Sequence, residues 1–247
     1  MNLIKKIYDK SRIWFAVLWI VVYCVLMSLG DELSMHIGLE KSATFVIGVF
    51  LSAMLLLFLK KNRLFREYGL CAPKISAKEM LYYLPLLVML TANFWYGLTL
   101  NYGAIETVFY ILAMLCVGFL EEVIFRGLLF EAMRNESLKA AIIVSSVTFG
   151  IGHIINLING SGADLLPNLL QVVYATAAGF MFVMMYYKSK SLIVCIVSHG
   201  MFNAFSVFAN EANATDEMRI LTAILITLIT GSYALYLALS LKLKPKV

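Results

Sequence analysis

Eight apolar stretches, each long enough to cross a bilayer, occupy most of this chain and limit what it can fold into. They lie at about 13–29, 43–59, 80–100, 107–130, 140–158, 168–187, 191–209 and 220–241. A hydrocarbon core about 30 Å thick needs roughly 20 apolar residues in helical form. In lipid each backbone N–H and C=O must be satisfied internally, which a helix does within one segment. Runs of this length therefore predict an all-α polytopic membrane protein of about eight transmembrane helices. Pro73 and Pro167 fall in the expected connections, and Pro85 in the first turns of the third run, where proline is tolerated. The connections are too short for a separate soluble domain, so residues 1–247 read as one integral membrane domain. Its motif-bearing core lies at about 107–206.

The charges support that reading. The chain is 62% hydrophobic and only 14% charged, against about a quarter charged in soluble domains. Of its 20 Lys and Arg, only Lys41 and Arg219 fall in segments that eight spans place opposite the N-terminus. The rest cluster around Lys5, Lys60, Arg134, Lys188 and Lys242, with Arg126 inside the fourth run. The loops across the membrane are acidic instead: Asp31, Glu32, Glu40, Glu106, Asp164 and Glu211. Positive residues mark the cytoplasmic side, so both termini are expected in the cytoplasm of a cell-membrane protein. The net charge of +5 is then a topology signal, and no nucleic-acid partner is expected. The basic N-terminus before the first run resembles a signal peptide, but the run is long and no small-x-small site follows it, so it reads as an uncleaved span. Cys24, Cys71, Cys116 and Cys195 show neither metal-ligand spacing nor a disulfide framework, and read as apolar filler.

An ionisable residue inside a span costs about 2.5–3.5 kcal/mol on insertion scales. Three spans concentrate such residues: Glu121, Glu122 and Arg126 on the fourth, His153 on the fifth, and His199 with Asn203 on the seventh. At 1.5 Å per residue from the basic edges, all of them reach a depth of roughly 14–20 Å. They can therefore share one buried polar cavity. Glu122 and Arg126 stand at i,i+4 and can pair; Glu121 lies about 100° round the helix and is free to point elsewhere. Phe149 and His153 share a face, as do His199 and Asn203. Gly150 and Gly152 allow close backbone approach beside His153.

Two adjacent carboxylates in a dry site do not both ionise easily and titrate as a unit. Such a group is a good general base for water. Histidines and an amide nearby can hold that water and stabilise an oxyanion, which together describes peptide-bond hydrolysis. A zinc site on Glu121, His153 and His199 is the competing chemistry. The bland alternatives are a structural ion pair for Glu122 and Arg126, and a core histidine for His153. His36 reads as solvated, Tyr186 and Tyr187 as an interfacial belt, and Met181, Met184 and Met185 as packing. Asn156 and Asn159 read as closing the fifth span.

Three motifs carry a family resemblance. Glu-Glu-Val-Ile-Phe-Arg at 121–126 reads as EExxxR, Phe-Gly-Ile-Gly-His at 149–153 as FxxxH, and His-Gly-Met-Phe-Asn at 199–203 as HxxxN. In this order they resemble the signature of the CPBP family. That family holds the type II CAAX prenyl proteases and the bacterial bacteriocin-processing or immunity (Abi) proteins. The resemblance implies eight helices around a conical cavity and an intramembrane endopeptidase acting by activated water. It implies Glu121 as general base, His153 as its helper and His199 with Asn203 as oxyanion hole, supported by Glu122, Arg126 and Phe149. It also implies a glutamate mechanism with no required cofactor, zinc staying the alternative.

The expected partners are the lipid bilayer and a peptide or protein substrate. The small size and bare termini look bacterial, which suggests a leader peptide, pheromone or bacteriocin; a prenylated CAAX-type protein is the weaker expectation. Two other functions fit less well. One is a non-proteolytic immunity or scaffold protein. The other is a secondary transporter, which usually shows internal repeats and paired broken helices.

Overall fold

The structure, a computed structural model, describes residues 3–81, 83–157 and 164–241. A short amphipathic helix, α1 (Leu3–Lys10), precedes α2 (Arg12–Ile37) and α3 (Ser42–Lys61). After a loop come α4 (Tyr83–Thr91), α5 (Ala104–Met133), α6 (Leu138–Gly152), α7 (Leu165–Ser189), α8 (Ile193–Phe205) and α9 (Asp216–Ser240). The ends are set by local chemistry. Ser11, Ser137 and Thr215 cap α2, α6 and α9 by accepting a backbone N–H, and Gly38 closes α2 in a left-handed conformation.

The molecule is all-α and polytopic, and its outside is apolar as lipid requires. Trp14, Val46, Leu57, Leu84, Leu228 and Leu239 are each more than half exposed. Polar side chains such as Glu122, Arg126, Ser145, Asn168 and His199 are buried instead. α7 runs through the middle, with Ala177–Gly179 and Met181–Tyr186 all buried. It packs against α6 on one side and α9 on another, while α5 packs against α3 and α8. Two contacts depend on glycine. A Cβ on Gly118 of α5 would lie 2.5 Å from the Gly200 Cα of α8, and a Cβ on Gly150 of α6 would collide with Thr176 of α7. Gly152 does not take part in such an approach: nothing stands within 4 Å of its Cβ position.

Each of the eight apolar runs yields a helix, but among the described residues six are long enough to cross a membrane and two are not. The third run gives only Tyr83–Phe94 and the seventh Ile193–Phe208, each ending in a 3₁₀ turn. At 1.5 Å per residue these reach roughly 18 and 24 Å. The reason is mutual. Beyond both helices the chain unwinds and the two ends pair: the Thr99 N–H donates to the Phe208 carbonyl (3.0 Å) and the Asn210 N–H to that of Gly97 (3.2 Å). Asn101 donates to the Val207 and Ala209 carbonyls as well. Backbone groups freed from the helices thus find partners in each other.

Other expectations shift. Tyr186 does not belong to an interfacial belt: it is buried, and its hydroxyl donates to Glu131 Oε1 at 2.7 Å. Pro167 sits inside the first turn of α7 rather than before it. Met181, Met184 and Met185 lie in the core, His36 is exposed, and all four cysteines are free. Asn156 donates to Gln171 (3.3 Å) at the end of the fifth run. Asn159, Lys242, Lys244 and Lys246 lie outside the described residues.

Candidate active site

The fourth span changes character at its motif. α5 is α-helical from Ala104 to Glu121, and from Glu122 to Phe130 it takes the wider π-helical turn with i→i+5 bonds. Every side chain from Glu121 to Glu131 is buried. π segments are rare and often occur at functional sites. Here the segment opens between the two motif carboxylates.

Arg126 Nη1 donates to Glu122 Oε1 at 3.0 Å, and both side chains are 0% exposed. The guanidinium lies 4.1 Å from the centre of the Phe149 ring and 5.6 Å from that of Phe182, where the π faces favour a desolvated cation. His199 joins the two acids. Its Nδ1 is 2.9 Å from Glu122 Oε1 and its Nε2 is 3.4 Å from Glu121 Oε2. The same imidazole stacks on Phe182 (5.5 Å, 19° between planes) and meets Phe149 edge-on at 5.6 Å. Tyr23 of α2 donates its hydroxyl to Glu121 Oε1 at 2.7 Å.

Helical spacing sets Glu121 apart from Glu122, yet the structure brings both onto one ring. An imidazole has nitrogens on two sides, so one His199 bridges carboxylates that diverge around the helix. Polar capacity is left over. Glu121 Oε2, Glu122 Oε2, and Arg126 Nε and Nη2 are buried and make no hydrogen bond among the described residues. The 3.4 Å approach of His199 to Glu121 Oε2 is a charge contact without hydrogen-bond geometry.

The other motif residues stand further off. His153 is half-buried at the end of α6, with Asn168 donating to its carbonyl at 2.8 Å. It touches the cluster through the Phe149 ring (5.3 Å), within electrostatic reach of Glu121 but without a hydrogen bond to either carboxylate. Asn203 lies one turn beyond His199 on α8, half-buried, and makes no hydrogen bond to the acids. Tyr23 and Phe182 escape sequence reasoning. A hydroxyl in the first span with no fixed partner is a weak signal for Tyr23; an aromatic residue in an apolar helix is no signal for Phe182.

The set Glu121, His153 and His199, the alternative zinc ligands, is not assembled as a ligand group. Among the described residues no three His, Cys, Asp or Glu side chains are placed to hold a metal ion. Within the set, His199 Nε2 faces Glu121 Oε2 at 3.4 Å, while His153 stands apart and meets the cluster through the Phe149 ring.

Comparison with known proteins converges on the same segment. Residues 102–205 match the family model described as type II CAAX prenyl endopeptidase Rce1-like. A curated Bacillus subtilis (strain 168) protein named "Putative membrane peptidase YdiL" is 39% identical over 89 residues. That alignment covers 36% of this chain and 31% of the relative, so it spans about a third of the relative's length. No solved structure matches the chain. The matched segment runs from just before α5 to the end of α8. It holds Glu121, Glu122, Arg126, Phe149, His153, His199 and Asn203, and it leaves out α2 with Tyr23.

Proposed function

We propose that this multi-pass membrane protein is an intramembrane endopeptidase in which Glu121 activates water. The observation that carries the reading is the state of Glu121. It is a buried carboxylate with one oxygen anchored by Tyr23 and the other, Oε2, facing His199 without a hydrogen bond. That oxygen is the acceptor available for a water proton. In the proposed step, water gives its proton to Glu121 Oε2 while its oxygen bonds to the substrate carbonyl carbon. The carbon–nitrogen bond then breaks, and Glu121 returns the proton to the leaving amine. His153, within electrostatic reach of Glu121, orients the water.

His199 Nε2 and the Asn203 amide serve the developing oxyanion, an arrangement that tightens when substrate is bound. The Nε2 edge already faces Glu121, so the reacting carbon would lie beside the attacking water. Glu122, Arg126 and Phe149 hold His199 in place. No metal or other cofactor enters these steps. The proposed substrate is a leader peptide, pheromone or bacteriocin precursor rather than a prenylated protein, in a bacterial cell membrane with both termini cytoplasmic.

The test uses purified protein and an internally quenched peptide library, with comparative peptidomics of cells carrying wild type or Glu121→Gln. Glu121→Gln and His153→Ala are expected to lower cleavage at least about 100-fold, and a chelator is expected to leave the wild-type rate unchanged. Full activity in both variants would sink the reading. Loss of activity on chelation would replace glutamate chemistry by metal chemistry.

A further inference from the structure

The matched segment does not complete the site by itself. The residue that sets the orientation of Glu121 comes from α2, some 80 residues before that segment begins. Tyr23 is 8% exposed, as is Glu121, and its hydroxyl donates to Oε1 at 2.7 Å. α2 packs directly on the π-helical stretch of α5, so the hydroxyl is delivered by helix packing rather than by a loop.

We infer that Tyr23 is a positioning residue for the general base, fixing Oε1 of Glu121 so that Oε2 alone is presented to water. The inference rests on the endopeptidase reading, because it assigns a task to Glu121. Its physical basis is the chemistry of the contact. A carboxylate has two equivalent oxygens and rotates about its last bond. A catalytic group must be held within about half an ångström of its productive place. A short hydrogen bond to one oxygen removes the rotation. The other groups around Glu121 do not substitute for it. Glu122 is occupied by Arg126 and His199; His199 approaches Oε2 and not Oε1; His153 meets the cluster through the Phe149 ring, and neither it nor Cys24 hydrogen-bonds Glu121. Arg126 is turned to Glu122 and the rings of Phe149 and Phe182.

A hydrogen bond donated to the ionised form of a carboxylate favours that form. Removing the donor therefore makes Glu121 harder to ionise, and a stronger donor makes it easier. This separates a positioning role from mere packing, since Tyr23→Phe keeps the ring.

The experiment compares the full chain in lipid nanodiscs as wild type, Tyr23→Phe, Tyr23→3-fluorotyrosine and Glu121→Gln. Two readouts are taken: cleavage of the quenched peptide library across pH, and an infrared pH titration of the protonated-carboxyl band that Glu121→Gln removes. Tyr23→Phe is expected to lower kcat roughly tenfold with KM within about twofold, and to move the acidic limb of kcat/KM up by about one pH unit. The infrared midpoint should move the same way. Tyr23→3-fluorotyrosine, a stronger donor of nearly the same shape, should move both the opposite way. Unmoved limb and midpoint in both variants would overturn the inference.

The infrared arm needs no substrate, so it judges the Tyr23–Glu121 coupling even if Glu121→Gln proves fully active and the endopeptidase reading fails. Should Tyr23→Phe fold poorly, the fluorotyrosine form decides alone.

Discussion

Two glutamate–arginine pairs lie little more than two turns apart, one within α5 and one at its end, and their surroundings differ. Glu122 and Arg126 are fully buried, bonded at 3.0 Å, with one oxygen and two nitrogens left unbonded. Glu131 and Arg134, at the end of the same helix, form an ion pair at 2.5 Å without hydrogen-bond geometry, with Arg134 about a third exposed, and Tyr186 donates to the other oxygen of Glu131. The outer pair neutralises itself, and solvent and a tyrosine complete it. The inner pair is placed against a histidine, two aromatic faces and a second carboxylate. Identical side chains thus serve as a cap at one depth and as a charge framework at another. The difference lies in what surrounds them, not in the residues.

The comparison can be broken at its strongest point first. Glu122→Ala leaves Arg126 buried without its anion, which typically costs about 3–5 kcal/mol. Reversible unfolding in mixed micelles is expected to show that loss. A loss below about 1 kcal/mol, the range of exposed pairs, would mean that the inner pair is not an anchor.

A smaller effect is expected at the outer pair. Glu131→Ala removes the acceptor of a buried Tyr186 hydroxyl while Arg134 can turn to solvent, so about 1–2 kcal/mol is expected in the same measurement. A cost equal to that of Glu122→Ala would erase the contrast between the two pairs.

The smallest effect sharpens the outer region. Lys190, just past the end of α7, has its ammonium brought down to about 8 from an ordinary 10.5, first by burial and then by the charge of Arg134. The folded protein releases this proton before the unfolded chain does. Its contribution to stability therefore rises between about pH 8 and pH 10.5. Lys190→Met should lose that rise in thermal melts taken across the interval, and an unchanged profile would show that Lys190 is solvated.

Much of this was legible in order of residues alone. The apolar runs disclose the helices because lipid leaves a spanning backbone little other choice. The i,i+4 spacing discloses the Glu122–Arg126 pair because neighbouring turns put those side chains together. The depth of His199, counted from Lys190, matches that of Glu121 and Glu122, and the structure brings the three into contact. Local spacing misplaced other features. It made Glu121 diverge from Glu122, since an α-helical wheel contains neither the π-helical turn nor the ring that bridges them. It made Tyr186 interfacial, since an aromatic residue at a span end looks the same whether or not an acid on another helix waits for it. It gave the third and seventh runs full length, since the pairing of residues 97–99 with 208–210 is a contact between distant segments.

The sequence by itself determined that this protein is a bundle of apolar helices, and that its costly polar residues sit on three of them at one depth. Both follow from hydropathy and helical rise, which are local. Only the tertiary structure decided which nitrogen of His199 faces which glutamate, and that Phe182 and Phe149 flank Arg126. It alone brought the Tyr23 hydroxyl to Oε1 of Glu121. Those contacts join helices up to 98 residues apart in the chain, and they exist because Gly118 and Gly200 let α5 and α8 approach closely and because α2 packs on the π turn of α5.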